Sequence, residues 1–179
     1  MAVASQPPQE QDRSASRSRL VALVTLAVVG CLLSLYLTSF QLGLVADVWD
    51  PLFGDGSRRV LTSAIAQLLP VPDASLGAIV YALDAILAAL LVSSSRPPSR
   101  TPSRRERRLA IALAVVAVGG AVAGVTLAVV QPLAVRTLCT LCLFSSAISL
   151  VLAIGAIAEL RERLGAASAE QGTPMEAVE

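Results

Sequence analysis

Residues 20–44, 76–92, 109–130 and 138–160 form four apolar runs. Each is long enough to cross the roughly 30 Å of bilayer hydrocarbon at about 1.5 Å per residue. Such runs leave few folds open, because in lipid every backbone N–H and C=O must be paired within the protein, and only helices or a closed barrel achieve that. The runs lack the alternation of strands, so the expected fold is all-α, a polytopic bundle of four transmembrane helices. The second run is the shortest and spans with little tilt or with help from its flanks. The first is too long for a signal-peptide core and no small-residue cleavage pattern follows it, so it is expected to remain in the mature protein. Composition agrees: 55% of the 179 residues are hydrophobic, only 15% are charged, and mean hydropathy is +0.71, too apolar for an ordinary soluble domain.

The arginines give the orientation. Arg13, Arg17 and Arg19 precede the first run, and Arg96, Arg100, Arg104, Arg105, Arg107 and Arg108 crowd the loop 93–108 between the second and third. Basic residues stay cytoplasmic. The loop 45–75 carries Asp47, Asp50, Asp55 and Asp73 against Arg58 and Arg59, and the last connection has only Arg136. Both are therefore expected outside a cell membrane, with both termini in the cytoplasm. Residues 1–18 and 162–179 read as disordered tails around a single membrane domain, 19–161. The bilayer is the partner this pattern implies. Nucleic acid is not, since the basic loop has no interleaved aromatic residue and sits between two apolar spans.

The outer loop also carries an apolar pattern. Val60, Leu61, Ala64, Ile65, Leu68 and Leu69 recur at helical spacing between Gly56-Ser57 and Pro70. That predicts a short extracytoplasmic amphipathic half-helix, lying in the interface or over the outer mouth of the bundle. Trp49 and Phe53 read as interface anchors.

Chemistry is concentrated in Cys139-Thr140-Leu141-Cys142, at the outer start of the fourth run. Helical residues three apart have Cβ atoms about 5–6 Å apart, whereas a disulfide wants about 3.5–4.5 Å, so a bridge is feasible but strained and easily reduced. With Thr137 as N-cap, Cys139 falls in the first turn, where free N–H groups and nearby Arg136 favour a thiolate. Two readings stand: redox chemistry, helped by a position on the oxidising side, or two small apolar residues in packing. A metal centre is not expected, because two thiolates in a chain without histidine supply at most half a zinc shell. Cys31, inside the first run, reads as packing. Asp84 sits in the middle of the second run, where a carboxylate is costly. It either relays a proton or stays protonated against a neighbouring helix. Gly120 and Gly124 form a small-xxx-small pair, read as close helix packing.

The fourth run, Cys139-Thr140-Leu141-Cys142-Leu143-Phe144-Ser145-Ser146, resembles the active-site helix of the vitamin K epoxide reductase family. Gly30-Cys31-Leu32-Leu33-Ser34-Leu35-Tyr36 in the first run is similar too, as is Pro72-Asp73-Ala74-Ser75-Leu76-Gly77 entering the second. The resemblance covers about residues 20–160. It implies a membrane thiol oxidoreductase coupled to a quinone, menaquinone or ubiquinone, with Cys142 facing the quinone and Cys139 exchanging disulfides with an outer thiol donor, a thioredoxin-like protein. It also implies three cofactor contacts. Asp73 stands at a family position whose amide bonds a quinone carbonyl, and as an acid it donates only when protonated. Ser146 stands where some relatives have an aromatic hydroxyl. Ser57 resembles a loop serine near the active site, although its place at the start of the half-helix favours a capping role over a cofactor contact.

The chain departs from that family at one point. Most members carry two shuttle cysteines in the outer loop, and residues 46–57 contain none. A self-contained four-cysteine relay is excluded, so the expected donor meets Cys139 directly. The expected function is a quinone-dependent thiol–disulfide oxidoreductase acting outside the membrane. Its rivals are a noncatalytic membrane partner or assembly factor that kept the fold, and a small transporter, for which Asp84 is the only encouragement.

Overall fold

The four apolar runs fold as four long helices. The computed structural model describes residues 8–63, 66, 72–94 and 103–171, and among these every regular element is helical. In order they are α1 (Pro8–Gln41), α2 (Gly56–Leu61), α3 (Asp73–Ser94), α4 (Arg104–Val130) and α5 (Thr140–Gln171), with a π-helical turn, Gln131–Val135, extending α4. All but α2 are long and apolar enough to cross a membrane. α1 packs on α3, α3 on α4, α4 on α5, and α5 returns to α1, closing the bundle.

The inner face is built from small residues. Ala27, Ala88, Ala110, Ala117 and Ala156 are buried with Leu20, Leu91 and Leu113, while Leu32, Val115, Val122 and Ile154 face outward. In lipid an outward leucine costs nothing, so packing favours small side chains that let backbones close up. Gly30 shows the need directly: a Cβ there would stand 2.6 Å from the Tyr81 ring, which lies across α1 at that point. Gly77 meets Ser34 in the same seam. The two stretches that carried the family resemblance in the first two runs are thus the α1–α3 contact. Gly120 faces Val80 and Gly124 faces Ser146, which is the close packing expected of that pair. Cys31 packs against the same core, its thiol 3.6 Å from the Ala78 carbonyl oxygen.

Helix ends follow local chemistry. Gly43, at φ 72°, ends α1: Leu44 N–H donates to Ser39 O and Gly43 N–H to Phe40 O, the paired bonds of a left-handed glycine stop. Ser103 and Glu106 form a reciprocal cap at the start of α4. Parts of both tails differ from expectation, since 8–18 and 162–171 are helical rather than disordered. Their side chains supply the reason, for Ser16, Arg19 and Arg163 all converge on the buried Glu159 of α5.

The described part of the predicted half-helix is α2. α2 stops at Leu61, and its buried Val60 and Leu61 turn inward against the bundle end near α5. Ala64, Ile65, Leu68 and Leu69 lie outside the described residues.

Candidate active site around Cys139 and Cys142

The chain leaves the π-helical turn through Arg136, whose φ of 55° is the left-handed region, and this sharp corner delivers residues 137–139 beneath α2. α5 begins at Thr140, so the expectation that Thr137 caps it is corrected. Cys139 itself holds the capping position: Leu143 N–H donates to its carbonyl oxygen at 3.0 Å and Cys142 N–H to its sulfur at 3.1 Å. Cys139 and Cys142 are joined as a disulfide with their Cα atoms 5.2 Å apart, inside the usual range.

The two sulfurs have different surroundings. Cys139 is 0% exposed. Its N–H donates to Oε1 of the buried Gln131 at 3.0 Å, and Ser57 Oγ lies 3.2 Å from its sulfur. Cys142 is half-buried, packed on a small apolar cluster of Leu37, Val48 and Leu61 with Phe40 and Ala74. The first sulfur of the pair is therefore the covered one. Anything reaching Cys139 from water must first lift the loop above it.

Asp50 holds that loop down. It opens the turn before Pro51, and its Oδ1 accepts from Leu52 N–H at 3.2 Å and Phe53 N–H at 2.9 Å. Oδ2 accepts from Ser57 N–H at 2.8 Å and the Ser57 hydroxyl at 2.7 Å. Across the site, the Thr140 hydroxyl and N–H also donate to the same carboxylate. A carboxylate at the first turn of α5 meets the positive end of that helix, which Thr137 was expected to serve. Partial burial is the largest single influence on Asp50 and opposes ionisation. The donors from Ser57, Thr140 and Phe53 together outweigh it and hold the carboxyl well below the ordinary range. Close approach of the loop needs Gly56, since a Cβ there would strike the Leu138 carbonyl oxygen and the Phe53 side chain.

The other sequence candidates fall as follows. Ser57 is not the cap of α2, whose first residue is Gly56; it lies inside the helix, fully buried between Asp50 and Cys139. Asp73 begins α3 and accepts from Gln41 Nε2 at 2.5 Å, beside Ala74 of the apolar cluster. Ser146 lies one turn past Cys142 and its hydroxyl is 2.9 Å from Cys142 O and 3.0 Å from Gly124 O, in the α4–α5 seam. Asp84 is 2% exposed, and its Oδ1 has no hydrogen-bond partner among the described residues. Trp49 is 72% exposed on the same loop. Among the described residues no cluster of His, Cys, Asp and Glu could hold a metal ion. Sequence reading missed Asp50, taken only as one negative charge of the outer loop, and Gln131, whose place beside Pro132 gave no sign of a buried amide.

The model of the Vitamin K epoxide reductase family matches residues 21–157. A search of curated proteins finds no match. The matched span takes in most of α1, the loop with α2, all of α3 and α4, both cysteines and the first half of α5, and the chain therefore belongs to the vitamin K epoxide reductase family, whose members are membrane oxidoreductases.

Proposed function

We propose that this protein is a quinone-linked thiol–disulfide oxidoreductase, taking electrons from an extracytoplasmic dithiol through Cys139 and Cys142 to a membrane quinone. The observation that carries the reading is the division of one disulfide between two environments: Cys139 in a polar cradle of Ser57 and Gln131, Cys142 against apolar side chains. A donor dithiol attacks Cys139, the mixed disulfide is resolved by the second donor thiol, and Cys139 and Cys142 are left as two thiols. A quinone bound beside Cys142 supplies a two-electron, two-proton acceptor. The residues fit such a group, since Leu37, Phe40, Val48 and Ala74 offer an apolar wall and Asp73 with Gln41 a polar edge. Asp73, Ser57 and Ser146 are the proposed cofactor contacts, with Ser57 also the neighbour of the exchange sulfur.

The thiol state of Cys139 and Cys142 in membranes tests this. Adding quinone to dithiol-reduced membranes should restore the disulfide, and a pair that stays reduced with menaquinone and ubiquinone alike would sink the quinone link. Orientation is tested separately. In a cysteine-free background, Asp55→Cys should react with a membrane-impermeant reagent added outside and Arg104→Cys should not; both positions are exposed, unlike Ser57. The reverse pattern would put the pair on the reducing side and remove the oxidative role.

A further inference from the structure

The Ser57 hydroxyl has one proton and two neighbours, Asp50 Oδ2 at 2.7 Å and the Cys139 sulfur at 3.2 Å. An ionised carboxylate only accepts, so the proton points to Asp50 and a lone pair of Ser57 is left facing the sulfur. Thr140 is likewise turned away, its hydroxyl and N–H both directed at Asp50. With the Ser57 proton on Asp50, the Cys142 N–H is the donor left to the Cys139 sulfur among the described residues. The other charged residues of the surrounding segments, Asp47, Asp55, Arg58, Arg59 and Arg136, are exposed, where water weakens their influence.

We propose that Asp50 is a positioning residue that makes Cys139–Cys142 a reducing couple, by claiming the donors of Ser57 and Thr140 and setting its own negative charge beside the place where a Cys139 thiolate would form. A thiolate there loses the Ser57 donor and gains a like charge held at Ser57, so the reduced state is disfavoured relative to the disulfide. This rests on the reading of the pair as a redox couple and narrows the donor class. A couple biased toward its disulfide accepts electrons only from dithiols that are themselves strongly reducing, and passes them readily to a quinone. The loop then does more than cover Cys139.

The test is an equilibrium with dithiothreitol, in which the protein disulfide and one reduced dithiothreitol give two protein thiols and one oxidised dithiothreitol. The oxidised fraction is read by alkylation and mass shift across a series of ratios, on the full chain in detergent. Asp50→Asn keeps the size of the side chain but lets its amide donate to Ser57 Oγ, freeing the hydroxyl proton for the sulfur. The equilibrium should move toward the dithiol by about tenfold, a potential about 30 mV less reducing. Ser57→Ala also loosens the loop but leaves the charge and removes the donor, so it should show no such rise. Equal rises in both variants would mean loop detachment rather than charge and would overturn the proposal, as would an unchanged equilibrium in a helical, monodisperse Asp50→Asn. A wild-type pair that yields no dithiol even with a phosphine reductant, in protein that stays helical and folded, would instead remove the redox reading, and the proposal with it.

Discussion

Cys142→Ser should abolish quinone reduction and, under oxidising conditions, accumulate a heavier adduct that reductant releases. Without Cys142 the sulfur of Cys139 has no internal partner: the outer loop has no cysteine, and Cys31 lies in the bundle core against the Ala78 carbonyl oxygen. A mixed disulfide formed at Cys139 with a donor protein or a small thiol then has nothing in the chain to resolve it. Cys139→Ser should lose turnover equally but trap nothing, because Cys142 faces the apolar cluster rather than the polar side of the loop at Asp50 and Ser57. Since Cys139 is 0% exposed, the adduct can form only as fast as the loop held by Asp50 lifts, and trapping should be slow. Mass spectrometry of the trapped species identifies the donor. If Cys142→Ser gave no adduct while the intact protein still reduced quinone with a supplied dithiol, direct exchange at Cys139 would be wrong.

The bundle was legible in the sequence because lipid imposes a simple rule, and runs of apolar residues of spanning length have one way to satisfy their backbones. Cys139 and Cys142 were legible because their spacing is local. The groups around them were not. Ser57 meets Cys139 across 82 residues and Asp50 meets Thr140 across 90, and neither pairing leaves a periodic or compositional trace. Asp50 is one of several aspartates in a polar loop, and only the fold distinguishes it from the exposed Asp47 and Asp55. The misplaced start of α5 has the same origin: Thr137 is a good local cap, but a carboxylate arriving from elsewhere serves the helix end instead, and the chain enters the helix at Cys139. At the opposite end of the bundle, Glu159 falls at the end of the fourth apolar run, 138–160, with no local sign of what it meets. Its burial depends on Ser16, 143 residues away.

Glu159→Ala should be the most destabilising single substitution among the charged residues. Glu159 is 1% exposed, with Arg163 at 2.6 Å through Nη2 and 2.8 Å through Nε, Ser16 Oγ at 3.1 Å from both carboxylate oxygens, and Arg19 at 3.6 Å. These contacts pin the start of α1 to the end of α5. Removing the carboxylate leaves Arg163, itself only 12% exposed, without its partner, and Ser16 without an acceptor. Breaking one half of a buried pair costs about 3–5 kcal/mol, most of it from the charge left behind. Arg19 keeps Glu162 at 2.8 Å, which favours the lower end of that range. Glu162 is the internal control, since its side chain is 51% exposed and an exposed pair is worth about 0–1 kcal/mol. Thermal unfolding in detergent, followed by loss of helical signal, should therefore show a large drop for Glu159→Ala, a smaller one for Glu159→Gln, which retains an acceptor oxygen, and almost none for Glu162→Ala. Because α5 places Glu159 about 30 Å from Cys139 at 1.5 Å per residue, folded Glu159→Gln should keep the Cys139–Cys142 dithiol equilibrium of the wild type. Equal losses of stability for Glu159→Ala and Glu162→Ala would mean that the cluster is solvated and that something else orders the two helical extensions.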